Sequence, residues 1–133
     1  MSKTASHTSP VIQKVAEKDV SSAIAVAGHP LHAMAVHFPI ALAIASLGCD
    51  LFYWWSGDEF WLRNGLWVTG FAFWTGVAAG IVGTMELVFV PGIRARAASW
   101  THAIAAMMLI SILGLNWGVR LSDPEAVLPL GLA

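Results

Sequence analysis

HAMAVHFPIALAIASLGCDLFYWW, residues 32–55, is a long apolar run in which Asp50 is the one acidic or basic residue apart from two histidines. A hydrocarbon core of about 30 Å takes roughly 20 residues of helix to cross, and this run exceeds that without a turn signal. A strand does not fit, because the run is too long and does not alternate. Tyr53, Trp54 and Trp55 close it with the aromatic residues that favour the bilayer surface. The stretch therefore reads as a transmembrane helix.

Working outward, residues 65–90 and 97–119 repeat the pattern. Trp61 and Trp67 crowd the boundary that Tyr53 to Trp55 mark, and Trp100 stands at the start of the third span. The connections SGDEFWLRN (56–64) and PGIRAR (91–96) are short and polar, so they join antiparallel neighbours. After Arg120 come the polar turn LSDPEA and the apolar VLPLGLA, which hint at a partial fourth helix or a short interfacial tail. The fold class is an all-α integral membrane helical bundle with three clear transmembrane helices.

The composition agrees. Of 133 residues, 57% are hydrophobic and 11% charged, less than half the roughly 25% charged residues that a soluble domain carries. A net charge of −1 without a basic stripe excludes nucleic acid as a partner and leaves the lipid bilayer. The lone Cys49 excludes an internal disulfide and a CxxC site. Residues 1–27 form a polar tail with no secretory apolar segment, so the mature chain is expected to start near Met1. Val11, Ile12, Val15, Val20, Ile24 and Val26 suit a helix lying along the membrane surface. The expected division is that tail and a transmembrane domain over 28–133. Lys3, Lys14, Lys18, Arg94 and Arg96 fall on one side of the bilayer, Arg63 and Arg120 on the other. The balance places the N-terminus in the cytoplasm.

Antiparallel threading turns scattered residues into a cluster. His29, His32 and His37 precede or open the first span, Glu86 lies near the end of the second, and His102 follows the start of the third. All five arrive near one membrane face, beside Arg94 and Arg96. Ionisable groups in spans are costly and usually turned inward, which makes the cluster a candidate site. Two imidazoles from different helices are what b-type haem needs for axial ligation, and His37 with His102 is the pair best placed by depth. His32 lies about 140° around the helix from His37, as a substitute or a gate. Arg94 or Arg96 would pair with haem propionates.

Other readings stay open. Imidazole and carboxylate can hold a metal ion, with His37 and His102 as its ligands, or relay protons. In a further reading the histidines serve only the headgroup layer, with Pro30 and Pro39 shaping the chain's path into the bilayer. If the helix begins near His32, Pro39 kinks it at His37. The small-residue stripes Gly76, Gly80, Thr84 and Ala41, Ala45, Cys49 suit close helix packing, and Asp50 and Asn116 suit a hydrogen bond between the first and third spans.

HPLHAMAVHFPIALAIASLGCDL, residues 29–51, resembles the opening of the bacterial membrane family known as domain of unknown function 2231. Its HPxHxxxVHFPIAL segment and a later Asp are matched by His29, Pro30, His32, His37, Phe38, Pro39 and Asp50. The resemblance extends over about residues 28–133, through Gly83 and the stretch from Arg94 to His102. It implies a four-helix membrane domain, sometimes fused to Rieske-type or cytochrome-c-like domains, and that company favours electron transfer. The family's fourth helix usually ends in a glycine-rich segment with a histidine, whereas this sequence ends at Gly131, Leu132 and Ala133. The functional expectation is a small membrane subunit that binds b-type haem and works with a larger membrane or redox complex or as a homo-oligomer. Its rival is a cofactor-free scaffold or assembly subunit. No nucleophile with an oriented base marks an enzyme, and three spans with few polar groups at mid-depth do not suit a transporter.

Overall fold

The structure is a computed structural model that describes residues 25–26 and 29–127. Apart from Ala25, Val26 and Val127, the expected surface helix and partial fourth span lie outside those residues. Ala25–Val26 and His29–Pro30 pair as a two-residue antiparallel bridge. Helices α1 (Leu31–Ala35), α2 (His37–Ser56), α3 (Glu59–Phe89), α4 (Pro91–Arg94) and α5 (Ala97–Ser122) follow, then a single 3₁₀ turn, Pro124–Val127.

Helices α1 and α2 together form a first span of 26 residues, α3 a second of 31 and α5 a third of 26. At 1.5 Å per residue these reach about 39, 46 and 39 Å, enough to cross a bilayer. The first span is interrupted at Val36, and Pro39 explains why. Proline has no N–H for the Ala35 carbonyl and its ring crowds that carbonyl, so the helix must open one turn earlier. The next bond, from Ile40 N–H to the Val36 carbonyl, is stretched to 3.4 Å. The expected disturbance at Pro39 is thus an interruption of the helix at Val36, and it divides His32 on α1 from His37 on α2.

The second helix begins at Glu59, six residues ahead of the expected Gly65. Two local signals account for the difference. Gly57 ends α2 with a φ of 66° and donates its N–H to the Tyr53 carbonyl, a left-handed conformation that other residues adopt at a cost. Asp58 then caps α3 by accepting the Phe60 N–H at 2.9 Å. Trp61 stacks on Phe52 with ring centres 4.7 Å apart, fastening the start of α3 to α2.

Helix α3 lies in the middle, packed against α2 on one flank and α5 on the other, while α2 and α5 scarcely approach each other. Lipid tails are as apolar as leucine, so membrane helices gain little from hydrophobic burial and associate through close packing and polar contacts. The core follows that logic. Gly65, Thr69, Gly70, Ala72, Gly76 and Ala79 are its buried small residues. Large side chains enter the notches: Trp117 lies over Gly70, Phe73 over Gly114, and Ile110 over Gly76 and Gly80. Phe38, Ile44, Trp55, Phe89 and Leu115 are exposed on the lipid-facing surface.

The GVAAG stripe thus serves bundle packing. Ala41 and Ala45, in contrast, are exposed, and α2 buries Pro39, Ser46, Cys49 and Asp50. Polar bonds set this rotation: Ser46 Oγ meets Thr69 Oγ1 at 2.5 Å and Asp50 pairs with Arg120. A β-carbon added at Gly70 would lie 2.6 Å from Trp117 Nε1 and 2.8 Å from its Cε2. Gly70→Ala is therefore expected to destabilise the bundle by about 1–3 kcal/mol through overpacking. Its unfolding midpoint in detergent, compared with that of Gly48→Ala, measures the effect, because Gly48 has nothing within 4 Å of its added carbon.

Candidate functional site

The two ends of the bundle carry different polar centres. At one end, His32 is the second residue of α1 and its ring sits in the notch at Gly83, where a β-carbon would come within 2.6 Å of Cε1. Its Nδ1 lies 3.0 Å from the Ala79 carbonyl oxygen. A carbonyl only accepts, so Nδ1 carries the hydrogen and a neutral His32 holds its free lone pair on Nε2. His102, the sixth residue of α5, stands opposite. The ring centres are 6.1 Å apart with planes at 81°.

Two grooves flank this pair. The outer groove, about 470 Å³, is lined by both histidines and by Glu86, Ile93, Arg96 and Ser99 among others. The deeper groove, about 260 Å³, shares the histidines and continues between Val36, Pro39, Ile40, Leu109 and Leu113. One is polar at its mouth, the other apolar toward mid-bilayer. His102 is itself exposed despite its position within the span.

His37 is not part of this arrangement. It is exposed beyond the break at Val36, with Nδ1 3.3 Å from the Met34 carbonyl oxygen, and lines neither groove. The imidazole brought to His102 is that of His32. The interruption at Val36 and the room at Gly83 are the physical reasons. His29 lies in the bridge before α1, its backbone paired with Val26. Arg96 lines the outer groove, whereas exposed Arg94 donates to the Val88 carbonyl at 3.5 Å and does not line it. Glu86 is 7% exposed in the groove wall, and neither it nor Arg96 is without a partner. Among the described residues, no three of His, Cys, Asp and Glu converge as a metal-binding set.

At the other end, Arg120 of α5 donates Nη1 to Asp50 Oδ1 at 2.7 Å and Nη2 to Oδ2 at 2.5 Å. Its Nε donates to Asn116 Oδ1 at 2.6 Å. Arg120 and Asp50 are 2% and 3% exposed, so this fork is sealed from solvent. Gly65 makes the room: a β-carbon there would lie 2.9 Å from Arg120 Nη1 and 3.2 Å from Asp50 Oδ1. The first and third spans are joined as expected, with Arg120 as the partner that Asp50 and Asn116 share.

Residues 28–133 match the family described as "Predicted membrane protein (DUF2231)". The chain belongs to this family. The matched DUF2231 region contains both polar centres, from His29 through Arg120. No curated protein and no solved structure matches the chain. Sequence reading of this DUF2231 protein missed Arg120 as a buried residue because its position near a helix end resembles an interfacial charge. The available signal was Asn116, four residues earlier and on the same helical face.

Proposed function

We propose that this DUF2231 protein is a small bacterial inner-membrane subunit that holds b-type haem between His32 and His102 and takes part in electron transfer. The observation that carries this reading is the pairing of two imidazoles from different spans at 6.1 Å, one with its tautomer set by the Ala79 carbonyl. At that separation the two imidazoles are near enough to share one iron, and Nε2 of His32 is the nitrogen that the bond to the Ala79 carbonyl leaves free. The hydrogen bond on Nδ1 is also what orients a metal-bound histidine and raises its basicity. The residues present fit the group.

Haem would supply a reversible one-electron couple, and the chain's own residues would do the rest. His32 and His102 would hold the iron. Arg96 suits the carboxylate edge of the macrocycle at the polar mouth. Val36, Pro39, Ile40, Leu109 and Leu113 would keep water from its apolar edge. A haem seated there would also cover the exposed imidazole of His102. The histidine end is assigned to the cytoplasm. The buried pairing of Arg120 supports this side, since it removes that charge from the opposing count and leaves Arg63 alone among the described cations there. Electrons would then pass to or from a redox domain or a larger membrane complex at that face.

The test is the visible spectrum of protein purified from membranes of haem-supplemented cells. Reduced-minus-oxidised bands typical of bis-imidazole haem are expected in the parent and in His37→Ala, and are lost in His32→Ala and His102→Ala. A folded parent that stays colourless and does not bind added haem would exclude the redox reading and favour the scaffold.

A further inference from the structure

The first and third spans are each seated on α3, α2 through the Ser46–Thr69 bond and α5 through Trp117 and Ile110 in the glycine notches, but few contacts run directly from one span to the other. His32 comes from the first span and His102 from the third, so the separation of their rings depends on the register between those spans. A direct tie between the two spans is the fork of Arg120 on Asp50. We infer that the buried Asp50–Arg120 pair is a register pin that positions His32 against His102 from the far end of the bundle.

Three features make the pair suited to this. A guanidinium presents two parallel N–H groups to a carboxylate, so the contact specifies direction as well as distance. Nε is already committed to Asn116 one turn back on the same helix, which fixes the orientation of the fork relative to α5. On the α2 side, Asp50 lies four residues after Ser46, whose bond to Thr69 fixes the rotation of α2 on α3. The three helices therefore meet around Gly65, where a side chain would displace the fork. Setting a register is the best-attested use of a buried polar group that adds little net stability.

The lever is long. Gly65 beneath the ion pair and Gly83 beneath His32 are eighteen residues apart on α3, about 27 Å of helix. A slip of α5 by one residue moves His102 about 1.5 Å along its axis and turns it by about 100°. A turn of that size takes His102 out of the cleft. Asp50 and Arg120 are thus positioning residues, remote from the imidazoles they arrange.

The inference uses the His32–His102 juxtaposition from the functional reading, but its test does not require haem. The full chain, with Cys49→Ala, carries spin labels at exposed Phe38→Cys on the first span and Ile104→Cys on the third. Pulsed dipolar spectroscopy in lipid nanodiscs should give one narrow distance distribution. In Asp50→Asn and in Gly65→Ala it should broaden and shift by at least one residue's rise, about 1.5 Å. The exchange of both residues, Asp50→Arg with Arg120→Asp, should bring it back toward the parent. Should Asp50→Asn fail to fold, Asp50→Glu decides, because it keeps the charge and lengthens the arm; a shifted distribution supports the pin. Distributions that stay at the parent distance and width in the folded variants overturn it. A parent without haem but with these shifts would discard the redox reading and keep the pin. A parent with haem and no shifts would do the reverse.

Discussion

Arg120→Ala is expected to cost about 3–5 kcal/mol of stability, the usual loss when one partner of a buried ion pair is removed. The fork between Arg120 and Asp50 replaces the hydration that both groups give up inside the bundle, where Asp50 is 3% exposed and Arg120 2%. Without the guanidinium, Asp50 loses both of the donors that face its oxygens. Asp50→Ala leaves the opposite problem. A guanidinium does not deprotonate in proteins, and it must swing its stem toward the membrane surface near the end of α5. The bond from Arg120 Nε to Asn116 Oδ1 is then lost as well.

The double variant separates the pair from its parts. If the two groups answer one another, Asp50→Ala with Arg120→Ala loses clearly less than the sum of the single losses, with a coupling of about 0.5–3 kcal/mol. Replacing them by apolar residues of similar size, Asp50→Leu with Arg120→Met, is expected to recover most of the stability while leaving the spans without a directional contact. Unfolding in mixed detergent and dodecyl sulfate micelles, followed by far-ultraviolet circular dichroism, provides the measurement. Additive single losses would mean that the fork contributes nothing as a pair.

Much of the architecture was legible because a bilayer imposes one simple demand. Residues 32–55 had to be helical and long, and the first span runs Leu31–Ser56. The break in that span was legible too, through Pro39. What periodicity could not supply was the rotation of each helix, because almost every face of these spans is apolar. Ala41 and Ala45 looked like a packing stripe, yet α2 turns Ser46, Cys49 and Asp50 inward to meet Thr69 and Arg120. The same gap affects the candidate site. Depth alone favoured His37 as the partner of His102, but the notch at Gly83 and the carbonyl of Ala79 receive His32. Both are features of α3, distant in sequence, and neither leaves a mark in the histidine segment itself. The loop 56–64 was misjudged for a local reason, since one Asp cap suffices to begin α3 at Glu59.

Gly83→Ala tests the histidine assignment most sharply, because it should separate site from fold. The added β-carbon would lie 2.6 Å from His32 Cε1, 2.9 Å from Nδ1 and 3.1 Å from Nε2, so the whole near edge of the ring must move. What must move is the end of a side chain and not backbone, and α1 is a five-residue helix beyond a break. The ring can therefore yield at the cost of its bond to the Ala79 carbonyl, about 0.5–1.5 kcal/mol, with alanine's better helix propensity offsetting part of the loss. Stability should remain near that of the parent, while haem retention falls to the level of His32→Ala. Gly80→Ala is the matching control on the same face. Its β-carbon would approach Ile110 Cδ1 at 3.1 Å, the tip of an aliphatic chain, and leave His32 in place. A Gly83→Ala protein that holds haem as the parent does would remove His32 from the site. Loss of haem in both glycine variants alike would point to helix packing in general. Loss in Gly83→Ala alone ties haem retention to the space at Gly83, the notch in which the imidazole of His32 sits beside the cleft it shares with His102.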